Sequence, residues 1–293
     1  MDVSVIIRTF NEGNYLQELL DCINRQDVGD LLCEIIIVDS GSADNTLAIA
    51  SKNNVIIQHI SKKDFTFGRS LNVGCAKAMG KYLVFISGHC IPVDNSWLLN
   101  LIQPIIQNRA MYTYGKQIGG TGTKFSETQV FAKYYPNDTK SIQTDYYCNN
   151  ANSALLRSEW EKYKFNEQLT GLEDLYLAKK IFENGSRTVY VPSSSVYHIH
   201  NETWRKVKNR YEREAIALRK IMPEIHVHFS DFIYFFFSSV LLDYSIAIKE
   251  KGLRSEILPI ILYRFMQYWG VYRGNHLHRV MSERIKHKYY YSR

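Results

Sequence analysis

The sequence predicts an α/β protein with a mostly parallel central sheet, helices on both faces of that sheet, and a helical C-terminal extension. Strand and helix signals alternate through residues 1–90, the pattern of parallel strands joined by right-handed crossovers. The strands are apolar throughout, as a sheet covered on both faces requires. No internal repeat at a fixed period is present.

The first part of the chain supplies the strands and helices of this sheet. Apolar strands are predicted at 3–8, 34–38, 55–58 and 82–86. Asn11 is expected to cap the first helix, Ser42 and Asp44 to open the second, and residues 68–79 to form the third.

Polar residues follow three of these strands directly. Arg8, Asp39 and the segment Ser87-Gly88-His89 all stand at predicted carboxyl ends. Ligands of open parallel sheets bind beyond the carboxyl ends of the strands. We therefore expect a ligand site at this edge of the sheet.

Beyond residue 90 the pattern is less regular. Residues 110–150 are expected to be loops, 172–183 a helix, and 189–191 and 196–199 short strands. A long amphipathic helix is predicted to follow Asn201, which is suited to cap it.

An apolar run occupies residues 232–242, bounded by Asp231 and Asp243. About 11 residues are too few to span a bilayer, which takes roughly 20. A buried helix, an interfacial membrane helix and a dimer contact all fit such a run.

The composition favours reduced thiols and a basic C-terminal part. The five cysteines are scattered without a Cys-x-x-Cys pair, which argues for the cytosol and against a disulfide scaffold or structural zinc site. The N-terminus lacks the features of a secretory signal. Residues 201–293 hold 17 Lys and Arg against 9 Asp and Glu. Such a segment suits an anionic membrane surface, nucleic acid or phosphorylated ligands, although no nucleic-acid-binding module is recognisable.

Two segments resemble glycosyltransferase family 2. Residues 35–46, Ile-Ile-Ile-Val-Asp-Ser-Gly-Ser-Ala-Asp-Asn-Thr, are similar to its Val-Asp-x-Gly-Ser-x-Asp-x-Thr signature, and residues 6–12, Ile-Ile-Arg-Thr-Phe-Asn-Glu, to its first nucleotide-contacting strand end. A carboxylate at position 39 can accept a hydrogen bond from the imide N–H of uracil. The resemblance implies that the donor nucleotide is bound by Arg8, Thr9, Asn11, Glu12, Asp39 and Ser40.

Two further segments resemble the rhamnosyltransferase-like branch of this family. Residues 64–74 match its Phe-x-x-Gly-x-x-x-Asn-x-Gly pattern, and this makes Arg69 and Asn72 candidates for diphosphate or ribose contacts. The Asn-Asn-Ala-Asn segment at 149–152 is similar to one beneath the donor sugar, where amides suit sugar hydroxyls. The implied contacts to donor sugar or acceptor are Asn149, Asn150 and Asn152.

The chain departs from the family where a metal-binding Asp-x-Asp is expected, since it has Ser87-Gly88-His89-Cys90. Histidine can replace the last carboxylate as a ligand for Mn²⁺, and less readily for Mg²⁺. We expect a divalent ion (Mn²⁺ or Mg²⁺) held by His89 with His198 or His200. The alternative is that these histidines bind the diphosphate directly.

The segment Thr170-Gly171-Leu172-Glu173-Asp174-Leu175 resembles the family's acidic pair at a helix start, where the helix dipole favours ionised carboxylates. The resemblance implies that Asp174 is the general base that deprotonates the acceptor hydroxyl. Glu173 is then expected to hold the acceptor or orient that base.

Together these resemblances imply the GT-A fold and an inverting glycosyltransferase. They suggest a nucleotide-sugar-binding half at 1–90, an acceptor-binding half at 91–200 and a basic helical extension at 201–293 for membrane association or for oligomerisation, for example as a homodimer. The expected donor is a UDP-sugar, or alternatively a dTDP-sugar. The expected acceptor is a glycan or lipid-linked glycan of surface polysaccharide synthesis, used in the cytoplasm at the inner face of the membrane. Alternatives are a sugar nucleotidyltransferase and a non-catalytic glycan- or membrane-binding protein.

Overall fold

The structure is a computed structural model, and it describes residues 1–138, 145–250, 253–277 and 289–290. Contacts divide the chain into two compact units. Unit 1 contains residues 1–120, 134–168 and 173–199, and unit 2 contains residues 121–133, 169–172 and the chain from His200 onward. The end of the predicted basic extension, at 278–288 and 291–293, lies outside the described residues. The three-part division expected from the sequence remains a prediction.

Unit 1 is built on an eight-stranded sheet in the order β3-β2-β1-β4-β7-β6-β8-β5. The strands are β1 Val3–Thr9, β2 Cys33–Asp39, β3 Ile56–His59, β4 Tyr82–Ser87, β5 Cys90–Pro92, β6 Tyr112–Gly119, β7 Asn152–Leu156 and β8 Thr188–His198. The strands β1 to β4 are parallel to one another, and β6 also runs parallel to β8. The pairs β4–β7, β6–β7 and β5–β8 are antiparallel.

Helices connect these strands and cover the sheet. They are α1 Leu16–Asn24, α2 Thr46–Ala50, α3 Phe67–Lys77, α4 Trp97–Ile106, α6 Arg157–Tyr163 and α7 Glu173–Glu183. A further helix, α5 Phe125–Tyr134, lies almost entirely in unit 2. The middle of β1 is fully buried from Val3 to Ile7, as expected for a central strand covered on both faces. The four strands predicted in the first part of the chain are therefore present, with ends that differ by at most one residue.

The carboxyl ends of β1, β2 and β4 meet at one edge of the sheet. Thr9 is opposite Asp39 in the β1–β2 ladder, and Arg8 is opposite Ser87 in the β1–β4 ladder. The polar residues that follow these strands are consequently neighbours.

The prediction of loops over 110–150 is wrong for part of that range. β6 and α5 lie there. The polar residues of β6 obscured the strand signal, yet Thr113 and Gln117 are buried, and the Thr113 hydroxyl donates to the carbonyl of Leu101 at 2.7 Å. A polar side chain with an internal partner can occupy a buried strand.

The two short strands expected near the end of unit 1 form a single strand, β8. The register against β6 shifts from Gly115↔Val191 to Lys116↔Ser195. Three residues at 192–194 therefore lack a β6 partner in the ladder, and one of them is Pro192. A bulge accommodates proline without loss of a ladder hydrogen bond.

Two of the predicted helix caps differ from the structure. Asn11 does not cap α1: its backbone adopts φ 57°, and its side-chain oxygen accepts from the Ala43 N–H at 2.8 Å. Asn201 does not cap the following helix either. Thr203 is that cap, with its side chain accepting from the Lys206 N–H.

Unit 2 contains three long helices: α8 Trp204–Ile221, α9 Phe229–Lys249 and α10 Leu253–Asn275. α10 packs closely on α8 at two glycines. An added Cβ at Gly274 would lie 2.2 Å from the Glu212 carbonyl oxygen, and one at Gly270 would lie 2.5 Å from that of Lys208. Only glycine allows two helix backbones to approach so closely.

α9 is longer than the apolar run that predicted it. The helix spans 21 residues because it continues through Asp243, which is fully buried and paired with Arg264 through oxygen–nitrogen distances of 2.7 and 2.8 Å. Because Arg264 neutralises the Asp243 carboxylate, this residue does not end the apolar helix. By length and composition, α9 is the single helix among the described residues that could cross a membrane.

Candidate active site

The segment from Arg8 to Glu12, at the carboxyl end of β1, contacts several of the predicted site residues of unit 1. Arg8 donates to Glu173 at 3.0 Å, the Thr9 hydroxyl donates to Asp39 at 3.0 Å, and Glu12 lies 2.8 Å from a ring nitrogen of His89. Because the ends of three neighbouring strands coincide here, residues far apart in sequence converge on one short segment.

Asp39 organises the turn between β2 and α2. Its Oδ1 accepts from the N–H groups of Gly41 and Ser42 at 2.9 and 3.0 Å, and its Oδ2 accepts from the hydroxyls of Thr9 and Ser42 at 3.0 and 2.5 Å. Four donors fill the acceptor capacity of a carboxylate. The buried Ser40 hydroxyl also donates within this turn, to the Thr9 carbonyl at 3.2 Å. A nucleobase can reach Asp39 only by replacing one of the two hydroxyl donors.

The acidic pair begins α7, as predicted, and both side chains are buried. Asp174 accepts from the backbone N–H of Asn150 and from that of Leu175, each at 2.8 Å. The Glu173 carboxylate pairs with Arg8. Leu172, which precedes the pair, has φ 56°, an uncommon conformation for a branched residue that is often found at functional sites.

Burial and, after it, the negative charge of Glu173 raise the pKa of Asp174 to about 7, against the lowering effect of the two N–H donors and Arg8. An ordinary aspartate has a pKa near 3.9. This carboxylate therefore changes its protonation state near neutral pH, as a general base requires.

The asparagines at 149–152 have different environments. The buried Asn150 carboxamide oxygen accepts from Tyr112 at 2.5 Å and from Ser153 at 2.7 Å. Asn152 is fully buried and bonds through both ends of its amide to Trp97, Lys116 and Ser194. These bonds hold β7 against its neighbours, and a contact of Asn152 with a sugar stays a prediction. Asn149 is half-buried, and its side chain accepts from the Ala151 N–H at 2.9 Å.

The predicted contacts of α3 with the nucleotide stay predictions, and the structure shows the internal partners of Asn72. Asn72 donates to the carbonyl of Phe165 and to Glu167, and it accepts from Trp160 and the Phe165 N–H, all at 2.9–3.0 Å. All four hydrogen-bonding positions of the amide are occupied. Asn72 thus fixes α3 to the segment after α6, whereas Arg69 is exposed in the first turn of α3.

His89 and His198 are brought together in unit 1. Their Nε2 atoms lie 3.2 Å apart, and their rings are stacked with centroids 5.1 Å apart. Each Nδ1 faces an oxygen, that of Glu12 for His89 at 2.8 Å and that of Gln117 for His198 at 2.6 Å.

His200 belongs to unit 2, where it lies beside two acids. Its Nδ1 is 2.7 Å from Glu127, which also accepts from Arg210. Burial alone would raise the pKa of Glu127, but the charge of Arg210 and the hydrogen bond to His200 hold it at about 2. Arg210 also pairs with Glu202 at 2.8 Å, so this group is a compact ionic cluster.

Sequence reasoning missed three residues that shape the site. Gln117 and Tyr112 lie on β6, in the range taken for loops, and both side chains are buried. Phe67 begins α3, and the Arg8 guanidinium lies 5.0 Å from its ring centroid. The positions of Gln117 and Tyr112 at the site follow only from the pairing of β6 with β7 and β8.

Comparisons with known proteins agree with this geometry. A family model described as glycosyl transferase family 2 matches residues 4–163 of the chain. The O-antigen chain rhamnosyltransferase RfbN of Salmonella typhimurium is 28% identical over 225 residues, covering 72% of this chain and 70% of that protein. The poly(ribitol-phosphate) β-N-acetylglucosaminyltransferase TarS of Staphylococcus aureus is 23% identical over 72% of this chain and 38% of its own length.

Solved structures share the fold. The mannosyltransferase PcManGT from Pyrobaculum calidifontis, in complex with GDP-Man and Mn²⁺, aligns with a TM-score of 0.60 at 17% identity, over 93% of this chain and 84% of that one. Residues 1–349 of S. aureus TarS, in complex with UDP, align with a TM-score of 0.57 at 16% identity, over 95% and 93%. The predicted GT-A fold, with a mostly parallel sheet, is confirmed.

Proposed function

Because the chain belongs to glycosyl transferase family 2 and is a glycosyltransferase, we propose that it catalyses inverting transfer of a sugar from a nucleoside-diphosphate donor to a hydroxyl of a glycan acceptor. The observation that carries the proposal is Asp174, a buried carboxylate with its pKa raised to about 7, at the edge of the sheet where the strand ends converge. We favour glycosyl transfer over the two alternative functions, those of a sugar nucleotidyltransferase and of a non-catalytic binding protein.

Asp174 acts as the general base. The two backbone N–H donors hold the carboxylate in one orientation. In the proposed reaction it takes the proton of the acceptor hydroxyl as the oxygen attacks the anomeric carbon, and the diphosphate leaves from the opposite face. Such base catalysis contributes about 10²–10⁴-fold.

Arg8 and Glu173 support this base. The ion pair between them is largely buried, with side-chain exposures of 18% and 5%, so both side chains are held in place. Glu173 keeps the pKa of Asp174 high. The positive charge of Arg8 partly neutralises the two adjacent carboxylates.

A divalent ion fits between His89 and His198. Their Nε2 atoms are 3.2 Å apart, close enough for both to bind one first-row divalent ion, for which imidazole nitrogen is a suitable ligand. We therefore propose that these two imidazoles hold the ion, and Mn²⁺ is the first candidate because PcManGT binds it. When bound, the ion would neutralise charge on the leaving diphosphate.

The donor is proposed to carry uracil or thymine. Both bases present an imide N–H, which Asp39 can accept after the hydroxyl of Thr9 or Ser42 turns away. Similarity to RfbN and TarS supports a role in bacterial surface polysaccharide synthesis, with a rhamnosyl or N-acetylhexosaminyl donor as the first to test.

We also propose that the enzyme works at the cytoplasmic face of a membrane. Eight large apolar side chains of α9 are exposed, namely Phe229, Ile233, Tyr234, Phe235, Phe237, Leu241, Leu242 and Ile248. An exposed apolar surface of this extent is unusual in a soluble monomer, and the basic charge of residues 201–293 suits anionic lipid headgroups.

A panel of nucleotide sugars tests the proposed function. Slow hydrolysis of one uridine or thymidine donor, with release of the nucleoside diphosphate, is expected even without acceptor. Release of pyrophosphate from a sugar phosphate and a nucleoside triphosphate would instead identify a nucleotidyltransferase. The absence of any product across the panel would contradict the enzyme proposed here.

A further inference from the structure

Four side chains of unit 1 form a continuous chain of contacts, here called the histidine chain. Its members in order are Glu12, His89, His198 and Gln117, and the successive distances are 2.8, 3.2 and 2.6 Å. The members come from the segment after β1, the loop after β4, and the strands β8 and β6. Four separate parts of unit 1 are therefore needed to assemble it.

The two ends of the histidine chain determine where the imidazole protons lie. An ionised carboxylate and an amide oxygen only accept hydrogen bonds, so both Nδ1 atoms carry a proton that is donated outward. A neutral imidazole has a single N–H. When both rings are neutral, the Nε2 atoms of His89 and His198 therefore each present a lone pair, 3.2 Å apart, and a cation bound by both nitrogens relieves the repulsion between them.

Glu12 is held in place by the end of the family signature at residues 35–46. Its backbone N–H donates to the Thr46 hydroxyl at 2.8 Å, and that hydroxyl donates to Asp44 at 2.5 Å. The neighbouring Gly13 N–H also donates to Asp44, at 3.0 Å. The carboxylate that faces His89 is thus fixed through its own backbone.

Gly88 leaves the space that Glu12 occupies. A Cβ at position 88 would lie 2.8 Å from the Glu12 Cγ and 3.2 Å from the Arg8 carbonyl oxygen. This contact gives a physical reason for the glycine in Ser87-Gly88-His89, since any larger residue would push Glu12 away from the ring that it orients.

We propose that Glu12 and Gln117 are positioning residues that fix the tautomers of His89 and His198, and thereby create a nitrogen-donor pair for a transition-metal ion in preference to Mg²⁺. The inference rests on the metal site of the proposed function. Imidazole nitrogen suits first-row transition metals, whereas Mg²⁺ prefers oxygen. Metal-binding histidines generally donate their second N–H to a carboxylate or carbonyl oxygen, and loss of that partner weakens metal binding about 10–100-fold. Glu12 is accordingly reassigned from nucleotide contact to this role.

Metal titration of the full chain without nucleotide tests the inference. Co²⁺ is the probe, followed by its visible absorption bands, with Mn²⁺ and Mg²⁺ titrated by calorimetry. The wild-type protein is expected to bind Co²⁺ more tightly than Mn²⁺, and Mn²⁺ more tightly than Mg²⁺. Glu12→Ala and Gln117→Leu should each weaken Co²⁺ binding about 10–100-fold.

Two matched variants separate positioning from general damage to the fold. Glu12→Gln retains an oxygen that can accept from His89 and should recover most of the Co²⁺ affinity. Glu18→Ala removes an exposed carboxylate of α1 and should leave the affinity unchanged. In the metal-free wild-type protein, ¹⁵N NMR should show protons on Nδ1 of both histidines, and Glu12→Ala should shift His89 toward the Nε2–H form.

Three results would overturn the inference. They are equal Co²⁺ affinity in the wild-type protein and Glu12→Ala, equal affinity of the wild-type protein for Mg²⁺ and Co²⁺, and failure of the wild-type protein to bind any of the three ions. Each can occur while donor hydrolysis persists, so the proposed sugar transfer would stand. Loss of donor hydrolysis with metal binding intact would instead contradict the transferase.

Discussion

The protonation of Asp174 is governed by a balance between burial and two charged neighbours. Removal from water and the adjacent Glu173 carboxylate raise its pKa, while Arg8 and the two N–H donors lower it. A carboxylate with the ordinary pKa near 3.9 would be a weak base toward a hydroxyl at neutral pH. The same residues that bury Asp174 therefore make it a stronger base.

The pH dependence of transfer follows from this balance. The base must be ionised, so kcat/KM for the donor should rise with pH and level off above an apparent pKa of about 7. Glu173→Gln removes a negative charge beside Asp174, which favours its ionised form, and should move the rise to lower pH. Initial rates between pH 5 and 9 measure both curves. An unchanged midpoint in Glu173→Gln would show that Glu173 does not tune the base.

At the scale of elements, α9 differs from the other helices because its exposed side is apolar. Phe232, Val240 and Ala247 are buried, whereas Tyr234, at 68% exposure, and the apolar residues named above face outward. The Asp243–Arg264 pair removes the only acidic charge in the middle of the helix from solvent. The outer surface of α9 therefore offers lipid a nearly uninterrupted apolar strip.

Vesicle binding tests this property of α9. The triple variant Tyr234→Ser, Leu241→Ser, Leu242→Ser should lose at least about tenfold in affinity for vesicles containing 30% phosphatidylglycerol, since each buried apolar side chain contributes about 1.5–3 kcal/mol. Leu32→Ser with Met79→Ser removes apolar residues that are 61% and 64% exposed in unit 1 and serves as the matched control. Co-sedimentation gives the bound fraction. Equal binding of the triple variant and the wild-type protein would exclude α9 as the membrane contact.

At the scale of the molecule, the sequence predicted the parallel half of the sheet and the edge where the site lies. Apolar strands that alternate regularly with helices can be recognised from the local sequence alone. Asp39, His89 and Asp174 lie at or near the ends of such elements, so their positions could be predicted as well. Two features required tertiary information. β6 carries polar residues that become acceptable only when β7 and β8 surround it, and Gln117 was missed for that reason. Likewise, a sequence does not reveal that the amides of Asn72 and Asn152 are bonded inside the protein.

The proposed inverting transfer depends on Asp174 acting as the base, and replacement of Asp174 by asparagine tests this most directly. Asp174→Asn keeps the size of the side chain but removes the proton acceptor. With the donor found in the panel and a glycan acceptor, transfer in Asp174→Asn should fall about 10²–10⁴-fold, while the Kd for the nucleoside diphosphate stays within about twofold of the wild-type value. Transfer at the wild-type rate with unchanged donor affinity would contradict the account.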